Sequence, residues 1–587
     1  MAETFKNLVD LWQKSVEKYG SRELFGVKNG SWKWLTYREF GKLVDDFRGA
    51  LASLDVGPSD KVAIVANNRV EWAVACYATF GLRAAYVPMY EAQKPDEWQF
   101  IMDDCGAKIA IGATNEIYEK LKAIKPQVPS LQHVIGLELE QSDPHSYRAL
   151  IEKGAKNATP AQDPAPEQVA GFIYTSGTTG KPKGVILTHG NICHCINAVH
   201  QIFPFEAGDR SLSFLPWAHS FGQVCELHGL LSMGCSMAIN DDVANLVANL
   251  AEVRPTVLYA VPRIFNRIYD GVNKQMTEKP GFIQALFHAG IRNATKKNKG
   301  QDVNVLGGVG LALADKIIFS KIREKFGGRL KYAISGSAAL SKDVAEFIDA
   351  LGIEVYEGYG LTETSPIATA NYPSNRKIGS VGKAIPGVTI TIDKSVTGDA
   401  KNGEILIKGP NIMQGYHRRP EENAQVLLPD RTFRSGDMGY LDDDGYLYIT
   451  GRIKEQYKLE NGKYVVPAPL EEELKLSPYI ANVMIHGANK PHNVALVVPD
   501  LDALKKWAAE NGVTLADVTR NEKVRKLIGG ELEKYGKEFK GFEKPKDFVL
   551  ITDDFTTEND MLTPTLKLKR RNVLARYEKD LDALYAA

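Results

Sequence analysis

The chain has 587 residues, with 72 Lys plus Arg against 72 Asp plus Glu, and is 44% hydrophobic and 25% charged. The length calls for more than one domain, and the composition excludes a disordered or fibrous chain. A formal net charge of zero argues against a nucleic-acid binder, which needs surplus Lys and Arg to neutralise phosphates.

In chain order, the first ten residues hold Glu3 and Asp10 and lack an apolar core, so no secretory signal is expected. Residues 61–66 (Lys-Val-Ala-Ile-Val-Ala) read as a buried strand, and residues 69–81 as the helix after it. Short apolar runs predict further strands at 84–89, 108–112, 134–137, 170–174, 236–239, 256–260, 332–335 and 354–358. Strands alternating with helical patterns predict parallel sheets covered by helices. Residues 160–166, rich in Pro and Ala, read as a surface connection. Six cysteines at irregular spacing make no disulfide framework. Cys193-His194-Cys195 has one intervening residue and no second pair, so buried free thiols are expected there rather than zinc.

The uncharged runs at 229–239 and 305–314 are interrupted by glycine and fall short of the ~20 apolar residues that a membrane span needs. A cytoplasmic protein is expected, with peripheral membrane contact left open. After Gly379 the texture changes. Residues 403–409 and 445–451 alternate between bounding glycines, as hairpins or a small barrel do. Mixed strand and helix patterns resume beyond Arg452. The expected division is a large domain over residues 1–451 and a small α+β domain over residues 452–587.

One loop carries the strongest chemistry. Thr175-Ser176-Gly177-Thr178-Thr179-Gly180-Lys181-Pro182-Lys183-Gly184 directly follows an apolar strand. Its glycines let backbone N–H groups turn towards an anion, its hydroxyls add donors and its lysines add charge. It is not a Walker A loop, since Gly180-Lys181 is followed by Pro182 rather than Ser or Thr. The bland alternative is a polar turn.

The loop resembles the first core motif of the adenylate-forming superfamily of acyl-CoA synthetases, luciferases and peptide-synthetase adenylation domains. Four further motifs are similar and occur in order. Gly358-Tyr359-Gly360-Leu361-Thr362-Glu363-Thr364 resembles the adenine and magnesium motif. Phe433-Arg434-Ser435-Gly436-Asp437 resembles the ribose motif, with Ser435 where most members have Thr. Gly451-Arg452-Ile453-Lys454 resembles the interdomain hinge, with Lys454 at the pivot where many members have Asp. Thr563-Pro564-Thr565-Leu566-Lys567-Leu568-Lys569-Arg570 resembles the C-terminal lysine motif, with Leu566 where many relatives have Gly.

The resemblance implies an α/β fold: a large domain of two parallel-type, helix-covered sheets plus a small β-barrel, followed by a small mobile α+β domain. It implies adenylation of a carboxylic acid by Mg-ATP, then transfer of the acyl group to coenzyme A. ATP would contact the loop residues Thr175 to Gly180 and Lys183; Gly336, Ser337 and Ala338 over the adenine; and Glu357, Gly358, Tyr359 and Gly360. Asp437 would accept the ribose hydroxyls, with Arg452 beside it. Glu363 would hold Mg²⁺, a hard cation that prefers carboxylate oxygen, and Thr362 would donate to the α-phosphate. Lys567, with Lys569 as the alternative, would bridge carboxylate and α-phosphate during adenylation only. Each residue also has an ordinary reading as a loop acid, a core aromatic or a surface charge.

On the acyl side, Ser213-Phe214-Leu215-Pro216-Trp217-Ala218-His219-Ser220-Phe221-Gly222 resembles the lining of the carboxylate pocket, with His219 as gate. Long-chain synthetases often read Phe-Glu-Arg where this chain has Phe221-Gly222-Gln223. The segments 314–316, 326–330 and 334–338 also look like the long-chain branch. The expected function is therefore a long-chain-like fatty acyl-CoA synthetase of small-molecule substrates, its chain length and oligomeric state undetermined. The competitors are an adenylating enzyme serving another acceptor, such as a separate carrier protein, and a non-catalytic nucleotide-binding relative.

Overall fold

The computed structural model describes residues 3–175, 181–396, 400–563 and 567–586. Two sheets dominate. The first has seven strands in the order Gly415–Tyr416, Lys183–Thr188, Val169–Thr175, Ala85–Met89, Lys61–Val65, Ile109–Gly112 and His133–Gly136. The second has nine, in the order Lys383–Ala384, Thr369–Ala370, Val355–Tyr359, Tyr332–Ser335, Val257–Ala260, Arg210–Ser213, Ser236–Ile239, Glu23–Asn29 and Ser31–Thr36.

The inner pairings of both sheets are parallel. Their strands are covered on both faces, which is why they read as unbroken apolar runs; every residue of Ala85–Met89 is buried. The edges depart from the expected parallel plan. Antiparallel pairs close the second sheet at Glu23–Asn29 with Ser31–Thr36, and at Val355–Tyr359 with Thr369–Ala370. In the first sheet, Val169–Thr175 and Lys183–Thr188 form an antiparallel hairpin around the glycine-rich loop. One core cluster fills the space between the sheets, with Trp72, Trp98 and Trp217 fully enclosed. All six cysteines are buried and free.

Where the sequence suggested hairpins or a small barrel, four antiparallel strands form an open row: Thr389–Asp393, Gly403–Lys408, Phe433–Leu441 and Leu447–Arg452. Beyond them, Ile480–His486, Asn493–Pro499 and Pro545–Leu550 make a three-stranded sheet, its first pair antiparallel and its second parallel. Side-chain alternation splits this sheet between two cores. Val483, Ile485, Ala495 and Val497 pack with the helix Glu522–Tyr535, whereas Met484, Val494, Leu496 and Val498 pack with Arg570–Ala583.

A pair of glycines sets the closest helix crossing in the large sheets' outer layer. A Cβ on Gly154, in Tyr147–Ala155, would lie 1.8 Å from the carbonyl oxygen of Asp46 and 2.6 Å from the nitrogen of Ala50, both in Tyr37–Ser53. Gly154→Ala should therefore force these helices apart, costing on the order of 1–3 kcal/mol. A lowered thermal midpoint against wild type checks it.

Candidate functional site

A cleft of about 3020 Å³ opens where the carboxyl ends of strands from both large sheets meet the four-stranded sheet and the C-terminal region. Open α/β sheets bind ligands at such strand ends. Every described residue to which the resemblance assigns a contact with substrate, and Lys454 at the hinge, lines this cleft. Ser176, Gly177, Thr178, Thr179 and Gly180 lie outside the described residues.

Asp437 sits at its centre. The strands Phe433–Leu441 and Leu447–Arg452 run antiparallel with Asp437 directly opposite Arg452. The buried carboxylate accepts from Arg452 Nε at 2.8 Å through one oxygen and from the Tyr359 hydroxyl at 2.8 Å through the other. Each oxygen keeps a further lone pair for a ligand hydroxyl. Asp437 in turn raises the pKa of the Arg452 guanidinium, and burial with this carboxylate alongside drives the Tyr359 phenol far above its ordinary value. Tyr359 ends the strand Val355–Tyr359, so this one carboxylate ties two sheets together.

The chain then turns sharply. A Cβ on Gly360 would fall 1.8 Å from the carbonyl oxygen of Pro366, so only glycine fits there. The single turn Thr362–Thr364 that follows buries both Thr362 and Glu363. Glu363 Oε1 accepts from the Tyr416 hydroxyl at 2.7 Å. The Lys183 ammonium lies 5.4 Å from the centre of the Tyr416 ring and also pairs with Glu422. Thr175 and Lys183 are register partners across the hairpin. Among the described residues no group of three or more His, Cys, Asp or Glu could hold a metal. Glu363 alone fits Mg²⁺, which typically takes one or two carboxylates and fills its shell from substrate phosphates and water.

The loop over the cleft's far wall follows the strand Tyr332–Ser335. A Cβ on Gly336 would stand 3.2 Å from the Phe221 ring, and Ser337 adopts the left-handed region at φ 72°. Ala338 is exposed. Behind them, burial pushes the Glu357 carboxyl up to about 7, while the backbone at Leu340 and Gly379 holds it.

His219 and Ser220 precede a π-helical segment, Phe221–His228. His219 Nδ1 accepts from the backbone N–H of Phe221 at 3.2 Å, and Ser220 Oγ lies 3.3 Å from Thr362 Oγ1. The His219–Ser220 segment and the turn Thr362–Thr364 thus touch. Burial, with the Lys567 ammonium nearby, lowers His219 to about 4, so its imidazole is neutral at pH 7. Phe203, Leu215, Cys225, Tyr259 and Tyr356 give this end of the cleft apolar walls. Gly222 is dictated by packing, since a Cβ there would meet the Pro216 carbonyl oxygen at 2.5 Å.

Lys567 reaches the cleft from the C-terminal region. Its N–H donates to Thr563 Oγ1 at 3.0 Å and its carbonyl accepts from Thr563 N–H at 2.9 Å. Three residues on, Arg570 grips Glu471 through both carboxylate oxygens, at 2.9 and 2.7 Å, which anchors the segment to the small sheet's helices. Crowding by protein lowers the Lys567 pKa and Arg452 lowers it further, against the opposing pull of Asp437 and Glu363. Lys569 is turned aside into an ion pair with Asp560 at 2.5 Å. Lys454 is exposed in the short turn Ile453–Glu455, between the four-stranded sheet and the C-terminal region.

Two contributors escaped the sequence reading. Tyr416 lies in a two-residue strand without periodic signal. Glu226 is buried in the π-helical segment and accepts from the hydroxyls of Ser211 at 2.9 Å and Ser213 at 2.8 Å. Burial pushes its carboxyl up to about 8.

Residues 12–417 match the family described as AMP-binding enzyme, and residues 454–587 the AMP-binding enzyme C-terminal domain. The chain is 30% identical to the peroxisomal long chain acyl-CoA synthetase 7 of Arabidopsis thaliana, over 99% of this chain and 86% of that protein. It is 31% identical to the long-chain-fatty-acid–CoA ligase FadD15 of Mycobacterium tuberculosis, over 95% of this chain and 93% of that one. Among solved structures, the adenylation domain of a carboxylate reductase from Mycobacterium chelonae superimposes with a TM-score of 0.81 at 23% identity, covering 100% of this chain and 92% of that one. The anthranilate CoA ligase AuaEII bound to anthranoyl-AMP gives 0.75 at 19%, covering 99% of each. These two likenesses concern the fold.

Glu226 gives a pH test. Its folded pKa is raised from 4.5 to about 8, so the native protein keeps a proton that the unfolded chain releases. Its stabilising contribution is complete below about 4.5 and is lost as pH rises through about 8. Glu226→Gln should remove that loss. Melts across this window should show wild type falling relative to the variant as pH rises.

Proposed function

The chain belongs to the AMP-binding enzyme family, and from that premise we propose how its cleft carries out the work of an AMP-forming long-chain fatty acid–CoA ligase. A fatty acid carboxylate attacks the α-phosphorus of ATP, giving an acyl-adenylate and releasing pyrophosphate. The thiol of coenzyme A then attacks the acyl carbonyl carbon, and AMP leaves.

The observation that carries the reading is a convergence. Lys567 from the C-terminal region, the Asp437–Arg452 pair, Glu363 and the neutral His219 face one cleft with an apolar end. Two anions must meet in the first step, and fixed cations offset their repulsion. Lys567 is the group suited to bridge the attacking carboxylate and the α-phosphate, with Thr362 as an added donor. Lys183 and the donors of residues 175–180 suit the β- and γ-phosphates. Asp437 suits the ribose hydroxyls, and Tyr359, Gly358 and the 336–338 loop suit the adenine. Glu363 is the residue that would hold Mg²⁺, which supplies charge against the phosphates. A neutral His219 adds no second cation beside Lys567 and leaves room for an uncharged acyl chain against Phe221 and Tyr259.

Lys567 is held by the C-terminal region beyond Lys454, whereas Asp437, Arg452, Glu363 and His219 are held by the elements before it. A turn of the C-terminal region about the exposed Lys454 would therefore withdraw Lys567 and admit the pantetheine thiol. Such rotation is hinge motion at a few element-terminal residues.

Lys567→Ala should cut adenylation by roughly 10²–10³-fold, as loss of a charge-stabilising donor does. Thioester formation from supplied acyl-adenylate should change little. Pyrophosphate and acyl-CoA assays separate the two steps, and Lys569→Ala should affect adenylation far less. AMP release across acetate, palmitate, aryl acids and amino acids, with and without coenzyme A, tests the whole reading. Turnover confined to amino acids, or indifferent to coenzyme A, refutes it.

A further inference from the structure

The helix Val305–Ala314 is built inside out. Its sequence is Val-Leu-Gly-Gly-Val-Gly-Leu-Ala-Leu-Ala, and it buries only Ala314. Val305 and Leu306 are each 83% exposed, Val309 63% and Leu313 46%. Towards the neighbouring helix Gly281–Asn298 it turns small residues: the Gly307 carbonyl accepts from Asn293 Nδ2 at 3.2 Å, and a Cβ on Gly307 would meet that amide at 3.3 Å. A helix apolar all round belongs in a core or a membrane, and this one has neither on its outer face.

Charge says what covers it. Between residues 281 and 324 stand seven Lys or Arg and three Asp or Glu, in a chain balanced overall. Lys296 and Lys297 precede the apolar run, and Lys316 and Lys321 follow it. None of these four makes an ion pair among the described residues, whereas Lys299 and Arg323 do. At helical spacing Leu306, Val309, Leu313 and Lys316 fall along one row, so the exposed aliphatic face ends in ammonium groups. Two copies of this face laid together would bring like-charged fringes into contact. The apolar run of ten residues spans ~15 Å, half of a bilayer's ~30 Å hydrocarbon core, and the helical chain that continues it to Glu324 carries Asp315, Lys316, Lys321 and Arg323, so the segment is not apolar enough to cross. No described helix is long and apolar enough to do so.

We propose that the helix Val305–Ala314 is a membrane-docking element that lies in the headgroup region of an anionic bilayer, with Val305, Leu306 and Val309 inserted and the flanking lysines on lipid phosphates. Interfacial helices combine these two attractions. The proposal complements the ligase reading, since a fatty acid partitions into the same bilayer. Docking is measured without any substrate, so the two readings fail separately.

The test is sedimentation of the full chain with phosphatidylcholine vesicles containing about a third phosphatidylglycerol. Wild type should bind these, and bind pure phosphatidylcholine several-fold more weakly. Val305→Gln, Leu306→Gln and Val309→Gln together should lower the partition coefficient by roughly tenfold or more. The variant's thermal midpoint and its AMP release from detergent-solubilised fatty acid should stay as in wild type. Lys316→Glu with Lys321→Glu should weaken binding to the anionic vesicles only. Wild type that ignores both vesicles, or a glutamine variant that binds as tightly, overturns the proposal. So does a wild-type dimer that the glutamine variant dissociates and that shows no vesicle binding.

Discussion

The carboxylate of Asp437 is the point on which the cleft depends. Three pieces of chain from different layers end at it: its own strand in the four-stranded sheet, Tyr359 at the tip of a strand in the nine-stranded sheet, and Arg452 at the last strand before the C-terminal region. Arg452 is half exposed, so the ion pair is partly screened and contributes less to stability than to position. Its value is geometric. It pins the last residue of the strand, directly before the turn that contains Lys454. The same carboxylate holds the hydroxyl of Tyr359, which lines the cleft.

Lys183 is paired with Glu422 and Arg452 with Asp437, whereas Lys567 makes no ion pair among the described residues. Lys567 feels Asp437 and Glu363 as attraction and Arg452 as repulsion, and crowding thins its hydration. An anion placed between Arg452 and Lys567 would relieve that repulsion. Under the proposed function, a bound polyphosphate would support Lys567 inside the cleft, and part of that support would be lost when pyrophosphate departs. In the proposed sequence of steps, the first product's departure weakens the hold on the very residue that the second step requires to withdraw. His219 fits this logic by staying neutral next to a lysine.

Legibility in the sequence followed burial and chemistry. Strands such as Lys61–Val65 and Ala85–Met89 were readable because both faces are covered, which leaves an apolar run. The edge hairpin Glu23–Asn29 and Ser31–Thr36 was not, because Lys28 and Lys33 interrupt half-exposed strands. The open four-stranded sheet shares its alternation with a barrel, and closure depends on pairing at a distance. Among site residues, Lys183, Glu363, Asp437, Arg452 and Lys567 stood out because each sits in a segment that resembles a core motif of the adenylate-forming superfamily, and all five line one cleft. Tyr416 against Glu363 was invisible, since that contact exists only once a two-residue strand adds to the edge of another sheet. Gly222 departed from the long-chain pattern in sequence, yet its reason is steric and local: the backbone of Pro216 occupies the space.

A net charge of zero describes this chain only as an average. Equal totals of 72 and 72 are compatible with a cleft where Lys183, Arg452 and Lys567 converge and a surface segment where seven cations meet three anions. Fields fall off within about 10 Å at ordinary salt, so each region presents its own charge to its own ligand, and the overall balance reaches neither. The neutrality thus argues only against an extended polyanion that would have to be followed across the surface, and leaves local anion binding untouched. The same reasoning applies to hydrophobicity. The run at 305–314 is apolar enough for a core, but small residues at the helix contact leave its large side chains facing outward, and only the three-dimensional placement separates a buried helix from an exposed one.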